Sequence, residues 1–282
     1  NQRDAIAKTM EEFFGTPDEP RLPDGTGLNP NLIEIAAGPV AGNADGTEQG
    51  LFRQHCAACH GITGDGAGAM ATTFDPYPRD FRRGTFKYTT TRADAKPLRS
   101  DLRRTLLRGI PGTGMPSFAE LPPEQLDALV EYVIYLSLRG ETEQYLVQLI
   151  VDEREYLPLG ADAKEMVLED AVLWVAQQWA VVEQNPQEYV VPVPPRPVYG
   201  SDAERAASIA RGKDLYAGKD AQCALCHGPN GAGDGEDERI YDDWNKPKKG
   251  VTPEQTAKLA RLYTLPLQRL RARDFRDGAF RG

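Results

Sequence analysis

Cys56-Ala57-Ala58-Cys59-His60 reads as Cys-x-x-Cys-His, and Cys223-Ala224-Leu225-Cys226-His227 repeats it. The pattern is the attachment sequence of c-type haem: two thiols add across the porphyrin vinyl groups, and the adjoining imidazole binds the iron from one face. Two intervening residues let one helical turn present both sulfurs to one edge of the macrocycle, and a longer gap loses that geometry. A bare Cys-x-x-Cys also occurs as half a zinc site or as a thioredoxin-like redox pair. Two features favour haem here. All four Cys of the chain lie in the two pentapeptides, each followed by His-Gly, and the pairs stand far apart in sequence, each in its own repeat. The expected cofactors are two covalently bound haem c groups, one on Cys56 and Cys59 with His60 as iron ligand, the other on Cys223 and Cys226 with His227.

A chain of 282 residues is long enough for two domains with a core each. Lys+Arg 33 against Asp+Glu 42 gives a net charge of -9, which argues against a nucleic-acid partner. An acidic surface suits partners with basic docking patches, although ordinary solubility explains it as well. The apolar runs are too short to span a bilayer: Glu131 breaks one and Gln177-Gln178 another. Haem is attached to such motifs outside the cytoplasm, so a periplasmic or otherwise extracytoplasmic location is expected. Asn1 is then read as following a removed export signal or lipoprotein anchor.

Taken in order, residues 1–44 begin with the helical pattern of Ile6, Met10, Phe13 and Phe14 and are expected to wrap the first domain. Asp45 and Glu48 form a capping-box pattern for a helix from about Gly46 into the motif. A Gly-rich loop, 61–68, follows His60, and a carbonyl of this region is expected to accept the second ring N–H of His60. Arg79 and Arg82 are candidates to pair with haem propionates, with solvated arginines the alternative. Ser100 is read as the cap of a helix to Arg108. Met115, in the rigid Gly112-Thr113-Gly114-Met115-Pro116 loop, is placed like the sixth ligand of a His/Met haem, with Met70 the competitor. Pro122-Pro123 opens a helix, 123–138, with Leu126, Leu129, Val130, Val133 and Ile134 on one face.

A helix before Cys-x-x-Cys-His-Gly, a Gly-rich loop, a Met-Pro loop and a closing amphipathic helix together resemble a class I cytochrome c domain, closely over residues 45–138. The Pro-Arg-Asp-Phe element at 78–81 and Gly-Thr-Gly-Met-Pro-Ser-Phe at 112–118 are similar to those of bacterial soluble and complex-associated members. The resemblance implies a dihaem member of that family. Its fold class is mainly α: two tandem cytochrome c-like domains with an intervening helical segment and a Pro-rich linker. The expected division is an N-terminal segment 1–44, a first domain 45–139, a helical insert 140–184, a linker 185–199 and a second domain 200–282.

In the second domain Ser201 and Glu204 form a capping box, and Ala272-Arg273-Asp274-Phe275 repeats Pro78-Arg79-Asp80-Phe81, so Arg273 stands where Arg79 stands. An insertion separates His227 from Asp274, with a helix start at Thr252-Pro253-Glu254 and a basic run, Lys246-Pro247-Lys248-Lys249. No Met follows Met166, so the second sixth ligand is either beyond Gly282, the domain being C-terminally incomplete, or unusual, such as Lys246, Lys248 or Tyr241. With three His in the chain, bis-His ligation is out of reach except through His55 or a partner. The expected function is single-electron transfer between a redox protein donor and acceptor, free or within a membrane or dehydrogenase complex, without substrate chemistry. The alternative is a dihaem, peroxidase-like enzyme with an open second haem.

Overall fold

The computed structural model describes residues 2–38, 49–149, 160–235, 252, 254, 265, 266, 268 and 270–278. The chain forms two compact units, residues 1–191 and 192–281. In chain order the helices are α1 (Gln2–Phe14), α2 (Pro30–Ala36), α3 (Leu51–His55), α4 (Ala57–His60), α5 (Arg99–Arg108), α6 (Pro123–Gln148), α7 (Ala161–Val167), α8 (Trp174–Gln184), α9 (Pro186–Tyr189), α10 (Asp202–Ala217) and α11 (Cys223–His227). Among the described residues β pairing is confined to isolated bridges, Gly15 with Pro20 and Thr91 with Val190, so the molecule is mainly helical.

The first unit is built around α6. The expected single apolar face is wider in the structure: Tyr132, Tyr135, Leu136 and Leu138 are buried along with Leu126, Leu129, Val130 and Ile134. Each such side chain taken from water contributes about 1.5–3 kcal/mol. The helix also continues past 138 to Gln148, because Leu138, Thr142 and Leu146 are still covered and Thr142 Oγ1 donates to Leu138 O, 2.9 Å. The charged break in its sequence, Glu131, is 4% exposed. Its carboxylate takes Asn29 N–H (2.8 Å) and Arg99 Nε (2.9 Å), tying the starts of α2 and α5 to the central helix. Further along, Glu141 accepts Lys96 Nζ at 2.7 Å, and the ammonium also reaches Gly84 O, 3.2 Å.

Helix α1 buries Met10 and Phe14, and Tyr135 Oη donates to Phe14 O at 2.6 Å. Helix α5 starts two residues earlier than its Ser suggests: Leu98 is the N-cap and Ser100 lies inside the helix. The capping oxygen belongs to Asp101, whose Oδ2 accepts from Leu98 N, Thr90 N and Thr90 Oγ1. Helices α7 and α8 are joined through a wide turn, Leu168–Leu173, and bury Val172, Val175, Trp179 and Val182 in the core of the first unit. The start of the Pro-rich stretch coils into α9, and Tyr189 O accepts Arg92 N–H, 2.9 Å; from there the chain is extended, with Val193 and Val198 90% and 96% exposed. Gly46 and the Asp45–Glu48 pattern lie outside the described residues, as do Tyr241 and the 246–249 run; helix α3 is described from Leu51.

In the second unit Ser201 Oγ accepts Glu204 N–H (3.2 Å) and Glu204 Oε2 accepts Gly200 N–H (2.7 Å), which fixes the start of α10. Ile209, Leu215 and Leu225 are about half exposed here, and Ala232 is the described apolar residue of this unit that is buried. The expected helix after Thr252 falls largely outside the described residues.

Candidate functional site

Helices α3 and α4 meet at Cys56, whose backbone leaves helical geometry (φ -121°, ψ -40°), and α4 then carries Cys59 and His60 on one turn. The thiols are free. Burial pushes the Cys56 thiol up to about 12, with the neighbouring Cys59 adding to the rise, and burial raises Cys59 too. A thioredoxin-like pair needs the opposite, a thiolate stabilised near neutrality. Among the described residues no three His, Cys, Asp or Glu side chains converge to hold a metal ion by themselves.

His60 is 9% exposed, and its burial lowers the imidazole pKa, against the pull of the Arg79 carbonyl. That carbonyl lies 2.9 Å from Nδ1 and takes the ring N–H, which leaves Nε2 as a lone pair for iron. The acceptor is thus in the Pro-Arg-Asp-Phe element and not in the 61–68 loop. Phe81 stacks on the imidazole (centroids 4.5 Å, planes 18° apart) and Phe52 backs Phe81 at 6.4 Å. The Arg82 fork is bound by Asp80, the N-cap of the 3-10 turn Phe81–Arg83, at 2.9 Å through both Nε and Nη2.

The second site repeats these contacts. His227 Nδ1 lies 3.0 Å from Arg273 O, and Phe275 stacks on its ring at 4.1 Å. Gly66 N donates to His60 O (2.8 Å) and Gly233 N to His227 O (2.9 Å); Phe81 N donates to Gly64 O (2.8 Å) and Phe275 N to Gly231 O (2.7 Å). Gly66 and Gly233 both hold φ near the left-handed region, +74° and +69°, where a Cβ would also press on Pro78 O or Ala272 O. Asp274 binds Arg276 as Asp80 binds Arg82. Cys223 and His227 are half-buried where Cys56 and His60 are buried, and Cys226 is half-buried like Cys59.

Met115 is half-buried against the first unit's core. Its loop is pinned to α5 by Phe118 N on Leu106 O (2.8 Å), Ser117 Oγ on Leu107 O (2.6 Å) and Ile110 N on Met115 O (3.1 Å). Met70, by contrast, is 48% exposed. His55 packs its ring edge-on against Phe118, 6.0 Å away. Sequence reasoning missed Phe81 and Phe275, whose signal was available: each follows Arg-Asp at the same place in both repeats. The residues present fit a haem c, with two thiols and a tautomer-fixed imidazole on one turn.

Comparison with known proteins bears on the first site. The sequence model of the Cytochrome c family matches residues 49–137; the second motif lies outside that match. The cbb3-type cytochrome c oxidase subunit CcoP of Azospirillum sp. (strain B510) is 37% identical over 98 residues, which are 32% of this chain and 29% of that protein. The match therefore spans less than a third of that relative. Among solved structures, the reducing HAO-like protein complex of Kuenenia stuttgartiensis has a similar fold, with TM-score 0.50 and 22% identity, over 86% of this chain and 79% of that one. No helix among the described residues is long and apolar enough to cross a membrane. Residues 49–137 thus carry a Cytochrome c domain, which implies covalently bound haem c, and the CcoP likeness agrees with it.

Proposed function

We propose that the chain is a dihaem c-type cytochrome that carries single electrons between periplasmic redox partners, free or as a subunit of a respiratory complex. The observation that carries this reading is the repetition of the first site in the second: the same imidazole-to-carbonyl bond, the same stacked Phe and the same loop hydrogen bonds. Haem c, when bound, supplies a one-electron iron couple. The chain supplies the rest. Cys56, Cys59, Cys223 and Cys226 hold the group covalently, and His60 and His227 are kept in the tautomer that presents Nε2. Met115 takes the sixth position at the first site, supported by its core packing and its pinned loop. The guanidinium groups of Arg79 and Arg273 are assigned to the propionates. CcoP belongs to an oxidase and the fold neighbour to a complex, which supports a partner of that kind.

The half-buried setting of His227, where His60 is buried, favours a second reading, a redox enzyme at the second haem. Carbon monoxide binding to the fully reduced protein, followed in the visible spectrum, separates the two. Haem that stays unshifted upholds the carrier; gas binding by half the haem identifies an open second iron and turns the reading to an enzyme.

A further inference from the structure

Three residues before Cys56, Arg53 is 8% exposed, although it is a guanidinium and always charged. Its Nη1 donates to Ile62 O, two residues past His60, and its Nη2 to Pro17 O, both at 2.9 Å. Among the described residues its paired carboxylate is Asp18, at 4.0 Å and with a side chain 52% exposed, so it offsets the charge only in part. Nε has no hydrogen-bond partner, and the buried Tyr132 Oη lies close enough for its phenol, raised chiefly by burial, to feel both the Arg53 charge and a side-chain hydrogen bond from it. A partly compensated cation therefore sits inside the first unit, stitched to the loop that follows the iron-binding histidine. The second site has a stitch of the same kind but without charge: Tyr216 Oη, from the helix before the motif, donates to Gly228 O at 2.7 Å.

Oxidised iron carries one more positive charge than reduced iron, and a fixed cation in a low-dielectric surrounding disfavours the oxidised form. Resting on the two-haem reading above, we propose that Arg53 is a positioning residue that holds the reduction potential of the first haem above that of the second. With haem bound, a single electron delivered by the redox protein donor would settle at the site held by Cys56, Cys59 and His60 in preference to that held by Cys223, Cys226 and His227.

The test is a spectroelectrochemical titration of the full chain, with haem counted per chain by the pyridine haemochrome method. Arg53→Gln, which keeps a donor for Ile62 O but no charge, shifts the upper midpoint downward and leaves the lower one in place. Arg53→Lys restores most of that shift. Asp18→Asn, which leaves the buried residue untouched and removes its counter-charge, moves the upper midpoint upward. The proposal is overturned if both midpoints ignore Arg53→Gln and Asp18→Asn, if the lower wave is the one that moves, or if Arg53→Lys shifts as far as Arg53→Gln, which would make Arg53 a clamp only. Should Arg53→Gln fail to load haem, the Lys and Asn variants decide it. A count of one haem per chain would overturn the two-haem reading and the ordering of potentials, yet a midpoint lowered by Arg53→Gln would still uphold the effect of the cation.

Discussion

Phe52 is 1% exposed, wedged between Phe81 at 6.4 Å and Tyr132 at 5.1 Å, so it supports the ring that supports His60. Phe52→Ala should cost roughly 3–5 kcal/mol in denaturant unfolding of the holoprotein, because the surrounding helices collapse incompletely on the cavity. Asp274 gives a pH-dependent counterpart in the second unit. Hydrogen bonds from the Arg276 side chain and then its backbone N–H hold the Asp274 carboxyl down to about 2, from an ordinary 3.8. The folded pKa is depressed, so the contact stabilises fully above the ordinary value and is lost as pH falls towards about 2. Hydrogen exchange of residues 272–278 should quicken across that window, and Asp274→Asn should already exchange fast at about pH 5. At this scale the thiols, both imidazoles and the Asp-Phe repeat were legible in the sequence, because covalent and ligand chemistry is written in residue type. The partly compensated state of Arg53 was not, since a charge's partners are set by chain segments remote from it.

Gly140 shows why α6 has its length. A Cβ there would strike the backbone and Cβ of Arg82, because the helix crosses the Phe81–Arg83 turn at contact distance. Gly140→Ala, ordinarily favourable within a helix, should instead destabilise by about 1–3 kcal/mol through overpacking, read as a lower midpoint in denaturant. Periodicity announced α6 and its first buried residues but neither its end nor its full burial. A helix surrounded on several sides keeps going wherever neighbours cover it, and neighbours are absent from a local pattern. Leu168, Ala171, Val172, Val175, Trp179 and Val182 recur at helical spacing and read from sequence as a packing helix between the domains; in the structure Val172, Val175 and Trp179 are buried in the first unit's core.

The second unit begins after the division at 191/192 with the exposed residues 192–199. Limited proteolysis should cut there first, and both fragments should stain for covalent haem on a denaturing gel. A stain confined to the N-terminal fragment would sink the dihaem reading. The tandem arrangement was legible because two copies of one motif are a pattern that needs no folding to see. The unequal enclosure of the copies was hidden, since it depends on how much apolar surface other segments bring.

The bond that fixes the tautomer of each histidine ends on the main chain of Arg79 or Arg273, and every amino acid has that oxygen. A saturation scan of either position would therefore report on the guanidinium and stay blind to the carbonyl. Variation at these two places would leave the orientation of His60 or His227 undisturbed, and replacing the peptide bond by an ester is the kind of edit that would expose it.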